Sequence, residues 1–190
     1  MELYPVLLSL EEGLERILQR TMPLGGELVS LDEADGRVLA EDVVSTEDLP
    51  PFPRSPYDGY ALRAEDTRGA TGKRGVTLRI IEEIPAGYAP QKALTAGCAA
   101  KILTGAPIPV GADAVVKFED TAFDAQTVTV YAPCRSGENI VPAGEDIRRG
   151  ETVLRRGTLL RGAALGLLAG LGRNECMVYR RPRVELISTG

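Results

Sequence analysis

The chain has 190 residues, 27 Asp and Glu against 22 Lys and Arg, a formal net charge of −5, and neither His nor Trp. Without histidine it cannot hold a Ser-His-Asp triad, a Cys-His pair or a His-ligated zinc, so acid–base chemistry falls to carboxylates, Lys, Tyr, Cys or bound water. The acidic balance, with only short basic pairs (Arg148-Arg149, Arg155-Arg156, Arg180-Arg181), argues against nucleic acid, and no apolar run reaches the roughly 20 residues of a membrane helix.

Ser9 and Glu12 have capping-box spacing, and Leu10, Leu14, Ile17 and Leu18 fall on one helical face, so a helix is predicted that Pro23, Gly25 and Gly26 end. Glu27 to Leu31 reads as a strand, and Asp32 to Gly36 as one helical turn capped by Asp32. Val38, Leu39, Val43 and Val44 resume extended structure. Leu49 to Tyr57 carries four prolines, which excludes a helix or a central strand and predicts a stiff loop at a domain boundary. Val76, Leu78 and Ile80 alternate with polar neighbours as in a half-buried strand. Ala114 to Phe118 and Thr127 to Tyr131 are further strands between Pro/Gly clusters, together suggesting a small barrel or sandwich. Thr152 to Leu160 reads as a strand pair turning at Arg156-Gly157, Arg161 to Leu171 as a short helix stopped by Gly172, and Cys176 to Tyr179 as a strand. Val184 to Ile187 is a further predicted strand, entering a small-residue turn at Ser188-Thr189-Gly190. Cys98, Cys134 and Cys176 are widely spaced, form no Cys-x-x-Cys pair, and read as small buried hydrophobes in a reducing cytoplasm.

Three segments could carry chemistry. Ser55-Pro56-Tyr57-Asp58-Gly59-Tyr60-Ala61 is either a hairpin turn at Asp58-Gly59 or an exposed carboxylate on a rigid loop, able to orient water or hold Mg²⁺. Thr104-Gly105-Ala106-Pro107 is either a strand-ending turn or a set of hydroxyl and backbone donors for an anion. Gly144-Glu145-Asp146-Ile147-Arg148-Arg149-Gly150 is either a solvated charged turn or a second carboxylate converging with Asp58 on a metal and a phosphate-bearing substrate.

Taken in order, these segments resemble the N-terminal part of the MoeA-type molybdopterin molybdenumtransferases, relatives of the gephyrin E domain. The matching stretches are Ser9 to Leu14, Gly36 to Val43, Ser55 to Ala61, Ile102 to Pro109, Gly111 to Val116 and Gly144 to Ile147. The resemblance implies the last stage of molybdenum cofactor synthesis. Adenylylated molybdopterin loses its adenylate and receives molybdate in a step that depends on a divalent metal, taken here as Mg²⁺. It also implies a cytoplasmic homodimer of elongated four-domain subunits, with an active cleft shared between the second domain of one subunit and the third of its partner. Carried over by motif, Asp58 and Asp146 are the expected catalytic residues, Thr104 and Ser55 the expected substrate contacts, and Asp58, Asp146 and Glu119 the expected metal ligands.

The expected fold class is α+β, largely β: an elongated domain with an inserted β-rich domain. On this expectation the α/β molybdopterin-binding domain and C-terminal β-barrel of the family are lacking. Residues 1–20 form a helix that would pack on the missing third domain, 21–45 and 150–182 the elongated dimerisation domain, 46–149 the inserted domain, and 183–190 the first strand of the truncated domain. On this reading the chain supplies half of a cleft and is inactive alone. The alternatives are a non-catalytic dimerisation or scaffold module, and a paralogue handling tungstate.

Overall fold

The computed structural model describes residues 8–188, which are mostly β, with 30% of the chain in strands and 17% in helices. Two compact units divide it: Ser45–Glu151 forms one, and the chain on either side of that segment forms the other.

In the outer unit, helix α1 (Leu10–Arg20) is held by local terms. The Glu12 amide donates to Ser9 Oγ (3.1 Å) and the Ser9 amide to Glu12 Oε2 (2.9 Å), which closes the capping box. Glu11 and Glu12 lie at the positive end of the helix dipole and Arg20 at the negative end. No residue of α1 is buried, and Leu10, Leu14, Ile17 and Leu18 are all exposed. β1 (Gly26–Ser30) leads into a 3₁₀ turn over Leu31–Glu33, so Asp32 lies inside that turn, with Ser30 at the cap position Asp32 was expected to fill. Gly36 then takes φ +72° and donates its amide to Leu160 O (2.9 Å). β2 is Val43–Val44.

After the inner unit come β9 (Thr152–Leu154), α2 (Gly162–Gly170) and β10 (Glu175–Tyr179). β1 and β10 pair antiparallel, Gly26 opposite Tyr179. The strand pair expected within 152–160 does not form. Leu154 pairs with Val43 and Leu159 bridges Val38, so this segment runs antiparallel along 38–44. Gly157, at φ +88°, donates its amide to Leu39 O across the same ladder. Ala34, Leu39, Val43, Leu160, Leu168, Cys176 and Val178 form the aliphatic core of this unit. Residues 181–188 carry no regular structure, and Val184, Leu186 and Ile187 are exposed. Among the described residues the strand expected at 184–187 has no neighbouring strand to satisfy its backbone, and without one a strand is not stable. Thr189 and Gly190, read as a turn, lie outside the described residues. Among the described residues no helix is long and apolar enough to cross a membrane.

The inner unit is one curled six-stranded sheet. Its strands are β3 (Gly59–Leu62), β4 (Val76–Ile84), β5 (Cys98–Ile102), β6 (Ala114–Lys117), β7 (Thr121–Phe123) and β8 (Thr127–Val130). They lie in the order β6-β3-β5-β4-β8-β7, antiparallel except for the parallel pair β4 and β5. The edge strands β6 and β7 are separated in the chain only by the turn Phe118–Asp120, a link too short for a flat sheet of this width. Alternation divides the buried residues between two faces. Tyr60, Leu62, Ala99, Ala114 and Val116 join one core with Leu78, Val128 and Val130. Ala61, Cys98, Ala100, Ile102 and Val115 join another with Ile84. Central β3 is buried on both faces.

Candidate functional site

Sheet register collects the site at one end of the inner unit. Gly59, the first residue of β3, stands opposite Ile102 at the end of β5 and Lys117 at the end of β6. Asp58 just before β3, Thr104 just after β5, and the residues from Lys117 onward therefore meet, although Asp58 and Thr104 are 46 positions apart. Gly59 makes the approach possible. A Cβ there would lie 2.0 Å from Val116 O, so only hydrogen fits. Asp58-Gly59 is thus the entry to a strand, and Gly59 does not use the positive φ that a hairpin turn would need.

Both the amide and the hydroxyl of Thr104 donate to Asp58 Oδ1, at 2.7 and 2.8 Å. The Thr104 backbone bond, then its side-chain bond, hold the Asp58 carboxyl below its ordinary pKa, so it stays ionised near neutral pH. Asp58 Oδ2 takes no hydrogen bond from the described residues. Ser55 supports this arrangement from behind. It is fully buried, its hydroxyl donates to Tyr57 O (2.6 Å), and its carbonyl accepts from the Gly105 amide (2.8 Å), while Gly105 turns at φ +83°. Ser55 ties the 55–58 loop to the 104–106 turn, and its hydroxyl faces its own loop.

The cleft in front of Asp58 has a volume of about 490 Å³ and is lined by Tyr57, Asp58, Thr104, Lys117, Glu119 and Asp120. Glu119 therefore shares the cleft with Asp58. Asp146 does not line it. Asp146 sits exposed in a turn after Gly144, its backbone amide donating to Leu49 O (2.9 Å). Asp58, Asp146 and Glu119 do not come together as a ligand set, and among the described residues no three Cys, Asp or Glu side chains converge to hold a metal. A local charge pattern such as Gly144 to Gly150 cannot say which way its carboxylates face. The residues that remain still suit Mg²⁺, which takes one or two carboxylates and completes its shell with water and substrate phosphate. Ionised Asp58 and neighbouring Glu119 supply hard oxygen donors of that kind. Tyr57, Lys117 and Asp120 were missed. Their signal was the register of β3 with β6, hidden because β3 itself reads as a turn.

The fold and the cleft are those of a β-rich unit inserted into a smaller mixed one. The family model for the MoeA N-terminal region (domain I and II) matches residues 8–172, and the chain belongs to that family. The molybdopterin molybdenumtransferase of Staphylococcus epidermidis is 39% identical over 183 residues, covering 96% of this chain and 44% of the relative. That of Staphylococcus aureus is 38% identical over the same shares. The crystal structure of a molybdopterin biosynthesis moeA protein from Pyrococcus horikoshii OT3 superposes with a TM-score of 0.77 at 46% identity, over 80% of this chain and 40% of that one. A second Pyrococcus moeA structure gives 0.85 at 38% identity, over 93% and 45%. The chain thus spans less than half the length of the relatives it matches.

Proposed function

We propose that this chain supplies one side of the cleft in which molybdate is inserted into adenylylated molybdopterin, with cleavage of the adenylate, in molybdenum cofactor biosynthesis. The reading is carried by the two-donor clamp of Thr104 on Asp58 at the mouth of a cleft, in a chain of the MoeA N-terminal family. Oδ1 of Asp58 is held by Thr104, which fixes the direction in which Oδ2 can act. Oδ2 orients a water or faces a cation. The single hydroxyl proton of Thr104 is committed to Asp58, so Thr104 meets substrate as an acceptor. Bound Mg²⁺, held by Asp58 and Glu119, would supply neutralisation of phosphoryl charge. Ser55 acts as a positioning residue through the 104–106 turn. The other side of the cleft comes from protein outside this chain, in a cytoplasmic homodimer, and the chain alone forms no cofactor.

The test uses a hybrid enzyme in which this chain replaces the N-terminal region of the Staphylococcus epidermidis relative. Thr104→Val keeps the side-chain shape and the backbone donor but removes the hydroxyl. It is expected to lower kcat for cofactor formation by about tenfold or more through misplacement of Asp58. Kinetics equal to those of the unmutated hybrid would remove this cleft from the reaction.

A further inference from the structure

The Asp58 cleft holds three carboxylates, Asp58, Glu119 and Asp120, and one cationic side chain, Lys117. Two of the other three lysines of this unit are engaged with oxygen, and the third, Lys73, lies outside the cleft. Lys101 pairs with Glu83 at 2.9 Å, and Lys92 donates to Ile81 O at 2.7 Å. Lys117 differs. None of the ion pairs among the described residues includes it, despite three acids in the same cleft. Its ammonium lies 4.1 Å from the centroid of the Tyr57 ring. A cation on an aromatic face is held electrostatically without spending N–H donors on an oxygen, so the three donors of Lys117 stay available. The backbone fixes its place as well. Lys117 stands opposite Gly59 in the ladder, and the next amide, Phe118 N, donates to Asp58 O (3.2 Å).

We infer that Lys117, poised on Tyr57, is the docking point for a phosphoryl oxyanion entering the Asp58 cleft. The inference rests on the proposed function only in taking that anion from the substrate. An anion approaching Asp58, Glu119 and Asp120 meets a negative wall, and an uncommitted ammonium is the point charge that offsets it. Tyr57 keeps Lys117 from collapsing onto its acidic neighbours when no anion is bound. A diphosphate bridge and a terminal phosphate ester share the required chemistry, and different probes separate them.

The experiment is amide NMR of the ¹⁵N-labelled 190-residue chain, titrated separately with inorganic pyrophosphate, AMP and adenosine. Saturable shifts at Tyr57, Thr104 and Lys117 with pyrophosphate alone support a diphosphate, and shifts with AMP as well support any terminal phosphate. Adenosine, which has no phosphoryl group, is expected to leave these amides unmoved. Lys117→Met should weaken the bound anion about tenfold, as expected for loss of a charge-assisted contact. Tyr57→Phe keeps the ring and should hold affinity within about twofold, whereas Tyr57→Leu should weaken it. Unchanged β4 and β8 amides certify that each variant is folded. The inference is overturned if neither pyrophosphate nor AMP shifts the wild-type chain, if adenosine shifts it equally, or if Lys117→Met binds as wild type. Should Thr104→Val cripple the hybrid enzyme while Lys117→Met changes neither anion affinity nor KM, this inference fails and the proposed function stands.

Discussion

Gly59→Ala tests the geometry on which the site depends. The added Cβ would meet Val116 O at 2.0 Å and Val116 C at 2.9 Å, both backbone atoms that no rotamer change can move aside. Carbon-to-oxygen contacts between strands settle near 3.3 Å, so β3 and β6 must part by roughly 1.3 Å at this point. That opening takes the adjoining ladder bonds beyond hydrogen-bonding range. Two such bonds at about 1 kcal/mol each, with an overpacking cost of about 1–3 kcal/mol, give a loss of roughly 3 kcal/mol or more. The melting temperature of the inner unit should fall by about 10 °C or more. The chain has no tryptophan, so urea and thermal unfolding are followed by circular dichroism. A Gly59→Ala protein within about 0.5 kcal/mol of wild type would show that β3 and β6 do not approach this closely.

The same substitution should have the opposite sign in helix α2, where a Cβ at Gly166 would meet nothing within 4 Å. Gly166→Ala is expected to stabilise by about 0.5–1 kcal/mol, read from the urea midpoint of the outer unit, and a loss would contradict the helix environment described. Asp58 is held below its ordinary pKa, so its bonds to Thr104 favour the folded state above the ordinary carboxylate pKa, and this contribution fades as pH falls through the lowered value. Thr104→Val removes one of the two donors and should move the Asp58 titration upward in a carboxyl ¹³C NMR experiment. No movement would mean that the hydroxyl bond is absent in solution.

Elements governed by their own residues were legible in the sequence. The Ser9 and Glu12 spacing gave the capping box of α1, and alternation at Val76, Leu78 and Ile80 gave β4. Elements governed by distant partners were not. β5 reads Cys-Ala-Ala-Lys-Ile, a poor strand sequence on propensity, and is a strand because β3 and β4 flank it. β3 begins at the glycine of an Asp-Gly pair and looks like a turn until Val116 is known to press on Gly59. Residues 152–160 carry the expected turn at Gly157, but their partner is 38–44 rather than each other, which no local pattern encodes. Residues 184–187 have strand composition but, among the described residues, no strand beside them. The site divides the same way. Asp58 and Thr104 each stand out in a local segment, but only resemblance to a family joins them, since nothing local links residues so far apart, and Lys117 emerged only from the register of β6 against β3.

The central claim is that ionised Asp58, clamped by Thr104, acts on the substrate. Its most direct test is the kcat of cofactor formation by the hybrid enzyme carrying Asp58→Asn, with dimer content measured on the same sample by light scattering. Asparagine keeps the shape and can still accept from Thr104, but it cannot orient a water or hold a cation as a carboxylate does. The expected result is a fall in kcat of about 10²-fold or more with the oligomeric state of the unmutated hybrid retained. Full activity in a folded Asp58→Asn enzyme of unchanged oligomeric state would contradict it.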